Sequence, residues 1–415
     1  MSARLDPRFE SWMTAPETGA VMDALARDGG EARFVGGAVR NALLKQPVED
    51  IDIATTLLPD AVVKRLEAAQ LKAVPTGVEH GTITAVSNGK PFEVTTLRRD
   101  VATDGRRAVV AFSKDWKEDA ARRDFTMNAL SASRDGEIFD YFGGIADLEA
   151  GRVRFVGDPA TRIAEDYLRI LRLFRFHAWY GKGEIDGDAL RAAALEKAGL
   201  RQLSGERIQS EMLKLLAAEN PMPVLRVMAA SGILSEVLPG ELNLPRLERL
   251  VAIDADAFFK PDALLRLAAL LPADVARAAQ LAERWKLSGA QRARLEDIAG
   301  AREKIVSYLS QRELRKILYR LGVPLFRDLA FLRWAEDPKA SNGIQWRALL
   351  EIAATWPRPK FPLTGRDVMQ AGVPEGPMVG DVLAEVEEWW IDADFTDDEF
   401  SIAERLKAVV QGKAY

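Results

Sequence analysis

The chain has 415 residues, 48% hydrophobic and 29% charged, with a formal net charge of −5. That length can bury more than one core, so two to four domains are expected; no charge-free apolar run is long enough to cross a bilayer, and MSARLDPRFESWM lacks the apolar centre of a secretion signal. Zero cysteines exclude disulfides, a disulfide-linked partner, thiolate zinc sites and cysteine nucleophiles, and two histidines, His80 and His177, exclude a histidine-rich metal centre, leaving carboxylates and arginines to carry the chemistry of a protein expected in the cytoplasm.

The first informative stretch is FVGGAVRNALLKQPVEDIDIATT. Gly36-Gly37 reads as a turn whose backbone N–H groups can approach a phosphate closely, and Ala38 to Leu44 reads as a helix whose N-terminus favours anions. In Asp50-Ile51-Asp52 the carboxylates are two residues apart, so an extended strand would place both on one face and Ile51 on the other. Such a pair suits Mg²⁺, which prefers oxygen ligands and keeps positions for water and phosphate oxygens. The glycines are not a Walker loop, since no Gly-Lys-Ser/Thr follows, and the aspartates lack the glycine and glutamate of an EF-hand.

Thr82 to Val86 and Phe92 to Leu97 alternate β-branched and other residues around Ser87-Asn88-Gly89-Lys90, which predicts a hairpin in an α/β region running to about residue 150. Arg122-Arg123-Asp124-Phe125-Thr126-Met127-Asn128 places Asp124 and Asn128 four apart, on one face if helical. That group either holds a ribose while Arg123 meets a phosphate, or is a helix start capped by Asp124. After Gly157-Asp158-Pro159 long helical patterns continue to the end. From Arg162 to Phe176, Asp166, Arg169, Arg172 and Arg175 recur every third residue along an apolar helix. They are either a solvated face with Glu165 paired to Arg169, or a recognition ridge in which arginine forks and an aspartate meet a base edge.

Pro357 to Pro362 is the clearest linker, and Trp285, Trp334, Trp346 and Trp356 read as core. Charge is uneven: Asp381 to Glu404 holds ten acidic residues and no Lys or Arg, whereas Gly151 to Arg207 is rich in arginine, which fits an RNA-binding groove on one face.

Three further segments complete the pattern: Asp140-Tyr141-Phe142-Gly143-Gly144-Ile145-Ala146-Asp147-Leu148, Glu165-Asp166-x-x-Arg169, and Glu206-Arg207-x-x-x-Glu211-x-x-Lys214. In order, residues 30 to 240 resemble the class II tRNA nucleotidyltransferase and poly(A) polymerase family of the polymerase-beta superfamily. The resemblance implies an α+β fold: a nucleotidyltransferase head with a small mixed β-sheet and helices (residues 1–150), followed by an all-α neck recognising the base (151–240), body (241–357) and tRNA-facing tail (358–415). It implies that Asp50 and Asp52 hold Mg²⁺ and that Gly36, Gly37 and Arg40 meet the triphosphate. Arg123, Asp124 and Asn128 would handle phosphate and ribose, Asp166 and Arg169 would select the base, and Arg172 and Arg175 would support nucleotide or primer phosphate. Glu93 is either a third catalytic carboxylate or a strand residue paired with Arg98 or Arg99.

Val74 to Thr84 looks like the CCA-adding members, and the basic Gly-Arg-Arg-Phe context of bacterial poly(A) polymerases is absent. Arg99 to Arg107 resembles the loop kept by members that add the final A. Leu363-x-Gly365-x-Asp367 with Gly376-Pro377-Met378-Val379-Gly380 looks like the family's tRNA-facing tail. The implied partners are the tRNA 3′ end, CTP and ATP. The alternatives are a bacterial poly(A) polymerase, an A-adding or CC-adding partial enzyme, or a non-catalytic RNA-binding protein, against which the intact Asp50 and Asp52 argue.

Overall fold

The computed structural model describes residues 4–104, 107–256 and 259–413, which divide into two compact units, Met1–Gly240 and Glu241–Tyr415. Strands of the first unit are β1 (Ala32–Val35), β2 (Asp52–Thr55), β3 (Lys72–Gly77), β4 (Thr82–Ser87), β5 (Lys90–Thr96), β6 (Arg98–Asp104), β7 (Arg107–Phe112), β8 (Ser131–Ala132) and β9 (Ile138–Phe139). Seven of them form a mixed sheet in the order β3-β4-β5-β2-β1-β8-β9, while β6 and β7 make a separate two-stranded ribbon. Strands β2 and β5 run parallel and place Asp52 opposite Glu93.

Alternation decides what each strand residue faces. Phe34, Ile53, Ile83, Phe92 and Val94 are buried with Val21 and Leu25 of helix Pro16–Ala26 and Val62 and Leu66 of helix Pro59–Ala68. Each such large side chain contributes about 1.5–3 kcal/mol of burial. Asp52 and Glu93 alternate with these residues and therefore project from the opposite face of the sheet. The predicted hairpin is β4 and β5, closed by Asn88 and Gly89 at φ 53° and 78°, the left-handed pair that matches strand twist.

Three local expectations change. β2 begins at Asp52, so exposed Asp50 lies just before the strand. Asp124 and Asn128 meet across a turn ending in the 3₁₀ segment Thr126–Asn128, because the preceding helix Trp116–Ala121 has already stopped. The segment from Arg162 to Phe176 is broken rather than continuous: helix Pro159–Glu165 ends, Asp166 is extended at φ −159° and ψ 107°, and helix Leu168–Tyr180 starts afresh. The Asp166 carboxylate accepts the Leu168 N–H at 3.1 Å, a local bond that competes with continuing the first helix. For the segment Arg99 to Arg107, Gly105, Arg106 and the side chains from Asp100 onward lie outside the described residues.

Among its described residues the second unit contains helices and connecting segments but no strand. Ser288 with Gln291, Ser310 with Glu313 and Thr364 with Asp367 form capping boxes that fix where three helices start. Trp285, Trp334 and Trp346 are buried and Trp356 is half-buried, as read. Four residues of the acidic stretch are held within the unit: Asp394 takes Arg315 at 2.5 Å, Glu387 accepts from the Tyr319 hydroxyl at 2.5 Å, and Asp392 and Glu388 pair with Lys316 and Arg320. Among the described residues no helix is long and apolar enough to cross a membrane.

Candidate active site

Gly36 ends β1 and opens helix Gly37–Leu43 at φ 67°, and a Cβ there would press to 3.0 Å on Nη1 of Arg123. The turn therefore needs glycine both for its left-handed backbone and for the close approach of that arginine. Arg40, one turn into the helix, is buried: Nη1 donates to Asn128 Oδ1 at 2.6 Å, Nη2 donates to Asn41 Oδ1 at 2.9 Å, and the guanidinium lies 4.3 Å from the Tyr180 ring centroid. Burial lowers its pKa from the ordinary arginine value.

From Asn128 the bonds continue. Asn128 Nδ2 donates to Asp124 Oδ1 at 2.9 Å, and Arg172 Nε donates to Asp124 Oδ2 at 2.8 Å. Arg172 Nη1 stands 3.6 Å from Glu211 Oε1, while Arg175 Nε donates to Glu211 Oε2 at 2.5 Å. Burial alone would raise the Asp124 carboxyl, but the Arg172 charge and the bonds from Asn128 and the Phe125 N–H outweigh it and hold the pKa below the usual range. Arg123 is fixed by buried Asp119 at 3.2 Å, and its backbone carbonyl accepts from Arg162 Nη2 at 2.8 Å.

These segments wall an open cavity of about 420 Å³ lined by Gly36, Gly37, Arg40, Asp52, Arg123, Asp124, Asn128, Asp166, Leu168, Arg169, Arg172, Phe176 and Arg207. Five arginines against three aspartates leave it electropositive, which suits a polyanion. Of the residues read from sequence, ten line the cavity; Asp50, Glu93 and Arg175 do not, and Arg175 is turned to Glu211. Arg169 folds back, donating to the Arg162 carbonyl at 2.6 Å and pairing with Glu165. Its pairing with Glu165 is the bond read as a solvated face, yet the residue also lines the cavity.

Two family models match the chain: the poly A polymerase head domain over residues 32–154, and a probable RNA and SrmB-binding site of polymerase A over residues 184–242. A mitochondrial CCA tRNA nucleotidyltransferase 1 of Mus musculus is 35% identical over 92% of this chain and 88% of its own length. The chain belongs to the CCA-adding tRNA nucleotidyltransferases. A CCA-adding enzyme of Streptococcus gordonii is 33% identical over 91% of this chain and 93% of its own. The crystal structure of a Bacillus stearothermophilus CCA-adding enzyme in complex with CTP superposes with a TM-score of 0.76 at 27% identity, covering 98% of this chain and 99% of that one.

Divalent metal ions are general to nucleotidyltransferases, and the donor set of this CCA-adding member fits them. The side chains of Asp50, Asp52 and Glu93 make no hydrogen bond or ion pair among the described residues, so Glu93 does not take the strand pairing with Arg98 or Arg99. Burial first, then the charges of Glu93 and Asp50, push the Asp52 pKa up, with Arg123 opposing. A carboxylate held in that state gains from a hard cation. Among the described residues no three His, Cys, Asp or Glu side chains converge as a metal cluster.

Arg207, Phe176, Glu211, Asp119 and Arg162 were given no role from the sequence. Arg207 and Glu211, four apart on helix Gly205–Leu216, share a helix face, but a buried glutamate has no legible purpose until its arginines are in place.

Proposed function

We infer that this chain adds C, C and A to the 3′ end of tRNA from CTP and ATP, and that Mg²⁺ is the ion held by Asp50 and Asp52. The observation that carries the reading is one electropositive cavity collecting Asp52, Arg123, Asp124, Asn128, Asp166 and Arg169 from segments spread along the first unit. When bound, the divalent ions supply charge neutralisation on the triphosphate and activation of the attacking hydroxyl. The chain's own residues do the positioning. Gly36 and Gly37 let the backbone approach the triphosphate, and Arg123, anchored by Asp119, meets its charge. Asp124 and Asn128 present acceptors and donors at ribose level, locked by Arg172 and Arg40. Asp166 and Arg169 read the base edge in place of a nucleic-acid template, because an aspartate accepts from the exocyclic amine that both cytosine and adenine carry. The primer 3′-hydroxyl oxygen forms its bond to the α-phosphorus in line as the bond to pyrophosphate breaks. Arg175 acts behind the cavity through Glu211, and Glu93 acts on Asp52 by charge across the strand pair.

The head (1–150), neck (151–240), body (241–357) and tail (358–415) divide the labour in the same reading, with base recognition in the neck and tRNA against the tail. Absence of cysteine suits a reducing cytoplasmic compartment. The test offers tRNA lacking its terminus with labelled CTP and then ATP. Incorporation of two C and one A is expected. Failure to take CTP, with ATP runs instead, would return the chain to the poly(A) polymerase reading. Completion by a chain lacking residues 99–107 would remove that ribbon from addition of the final A.

A further inference from the structure

We propose that Trp179 and Lys214 extend the cavity wall into a groove for the single-stranded 3′ end of the primer, with Trp179 stacking on one of its bases; this rests on the cavity being where nucleotides are added to an RNA end. Helices Leu168–Tyr180 and Gly205–Leu216 lie side by side and run in the same direction. Asp166, just before the first helix, takes Arg207 at 2.6 Å; further on Arg175 takes Glu211 at 2.5 Å; last, Trp179 Nε1 donates to the Lys214 carbonyl at 2.8 Å. Arg172 and Arg207, one on each helix, line the cavity. Seven residues are close to two turns, so Trp179 continues the stripe of Arg172 and Lys214 that of Arg207, each about 10 Å further along its helix.

The indole is held rather than loose. Its one polar atom is bonded to the neighbouring helix, yet the residue stays 45% exposed, so its free face has already lost the freedom that binding would otherwise cost. Charge points the same way. Glu211, the acid between Arg207 and Lys214 on their stripe, is buried and taken up by Arg175, whereas the exposed Lys214 ammonium makes no hydrogen bond or ion pair among the described residues. An aromatic face and an unpaired cation at one level suit an unpaired strand: a base of any identity stacks on the ring and a backbone phosphate meets the lysine. A paired stem offers no free base face, so the occupant is the single-stranded end. At about 3.4 Å per nucleotide of stacked strand, the reach past Arg172 spans about three nucleotides.

The experiment measures kcat and KM for tRNA lacking its final A, with ATP, and filter binding of the same tRNA, for wild type, Trp179→Ala, Trp179→Phe, Trp179→Leu and Lys214→Gln. Trp179→Ala is expected to raise KM and Kd for the tRNA about tenfold, with KM for ATP and kcat at saturating tRNA nearly unmoved. Trp179→Phe keeps a stacking face but loses the bond to Lys214, so it should retain most of the affinity, while Trp179→Leu should resemble Trp179→Ala. A tRNA made abasic at one of its last three nucleotides should bind wild type and Trp179→Ala equally at one of those positions. Lys214→Gln should lower the salt slope of binding by about one. Unchanged tRNA affinity in Trp179→Ala overturns the proposal, and so does a difference that survives all three abasic positions. Trp179→Phe as weak as Trp179→Ala overturns it too, because the bond to Lys214 and not the ring face then carries the effect; an unchanged salt slope removes Lys214 from the groove. Should Trp179→Ala not fold, Trp179→Leu takes its place against Trp179→Phe. A wild-type chain that binds this tRNA but adds no A overturns the cavity reading, while the binding arm still decides the stacking.

Discussion

The side chains of Asp52 and Glu93, on the sheet, and of Asp50, just before it, form no hydrogen bond or ion pair among the described residues, whereas on the helical side Asp124, Asp119 and Glu211 each hold at least one guanidinium. The pKa directions follow: Asp52 is pushed up and Asp124 is held down. The folded chain thus pairs the carboxylates of the helical side internally and leaves Asp52 and Glu93 unpaired, which in the proposed reading is where divalent ions bind. One wall contributes to stability; the other costs stability and, in the proposed reading, supplies the chemistry.

The largest break in this contrast is Asp52→Asn. Nucleotidyl transfer in single turnover should fall about a thousandfold or more, equivalent to about 4 kcal/mol of lost transition-state stabilisation. Affinity for tRNA, measured by filter binding, should change little. Retained turnover would remove Asp52 from the reaction.

Asp124→Asn attacks the other wall. It leaves Arg172 facing Glu211 at 3.6 Å and removes the charge that the Arg172 fork was paired with. Breaking a buried pair from one side should cost about 3 kcal/mol, read as a fall in denaturant midpoint. Because the folded pKa of Asp124 is depressed, its contribution is present above the unfolded carboxylate value of about 4 and is lost as pH falls through the folded value. The variant should therefore show a shallower loss of stability in acid than wild type. Parallel acid-unfolding profiles would mean that Asp124 is not the group that titrates.

Why one wall was more legible than the other follows from where its partners lie. Asp50, Asp52 and the Gly36-Gly37 turn fall within seventeen residues, so their grouping was visible in the sequence, although the strand expected to carry both aspartates begins only at Asp52. The break at position 166 was not visible, since apolar periodicity runs on through Tyr167 and Leu168 and favours an unbroken helix. What holds Asp166 is Arg207, forty-one residues later, and long-range pairing leaves no periodic trace. The same limit applies to Asp124 and Asn128, whose spacing suited a helix but whose contact is made by a turn. The partners of the acidic C-terminal stretch were equally illegible. Three of its ten acidic residues, Asp394, Asp392 and Glu388, pair with Arg315, Lys316 and Arg320 of helix Gln311–Leu321, so part of its charge serves packing inside the second unit.

The smallest effect is the most specific to the contrast. Because the folded pKa of Asp52 is raised, the native state binds its proton more tightly than the unfolded chain does, and stability falls as pH rises from the unfolded value through the folded one. Above the folded value the whole penalty is present. Asp52→Asn removes it, so at pH 8 without divalent ions the inactive variant should be more stable than wild type, by about 0.5–1 kcal/mol. Glu93→Gln should give part of that gain, since Glu93 contributes the larger of the two neighbouring carboxylate charges on Asp52. Adding Mg²⁺ should raise the wild-type midpoint toward that of Asp52→Asn while leaving the variant nearly unmoved, because a cation stabilises only the fold whose carboxylates are charged and unpaired. If the variant is no more stable at pH 8 and the advantage does not shrink as pH is lowered, Asp52 is not strained by its neighbours, and the carboxylate strand differs from the arginine wall in sequence but not in energetics.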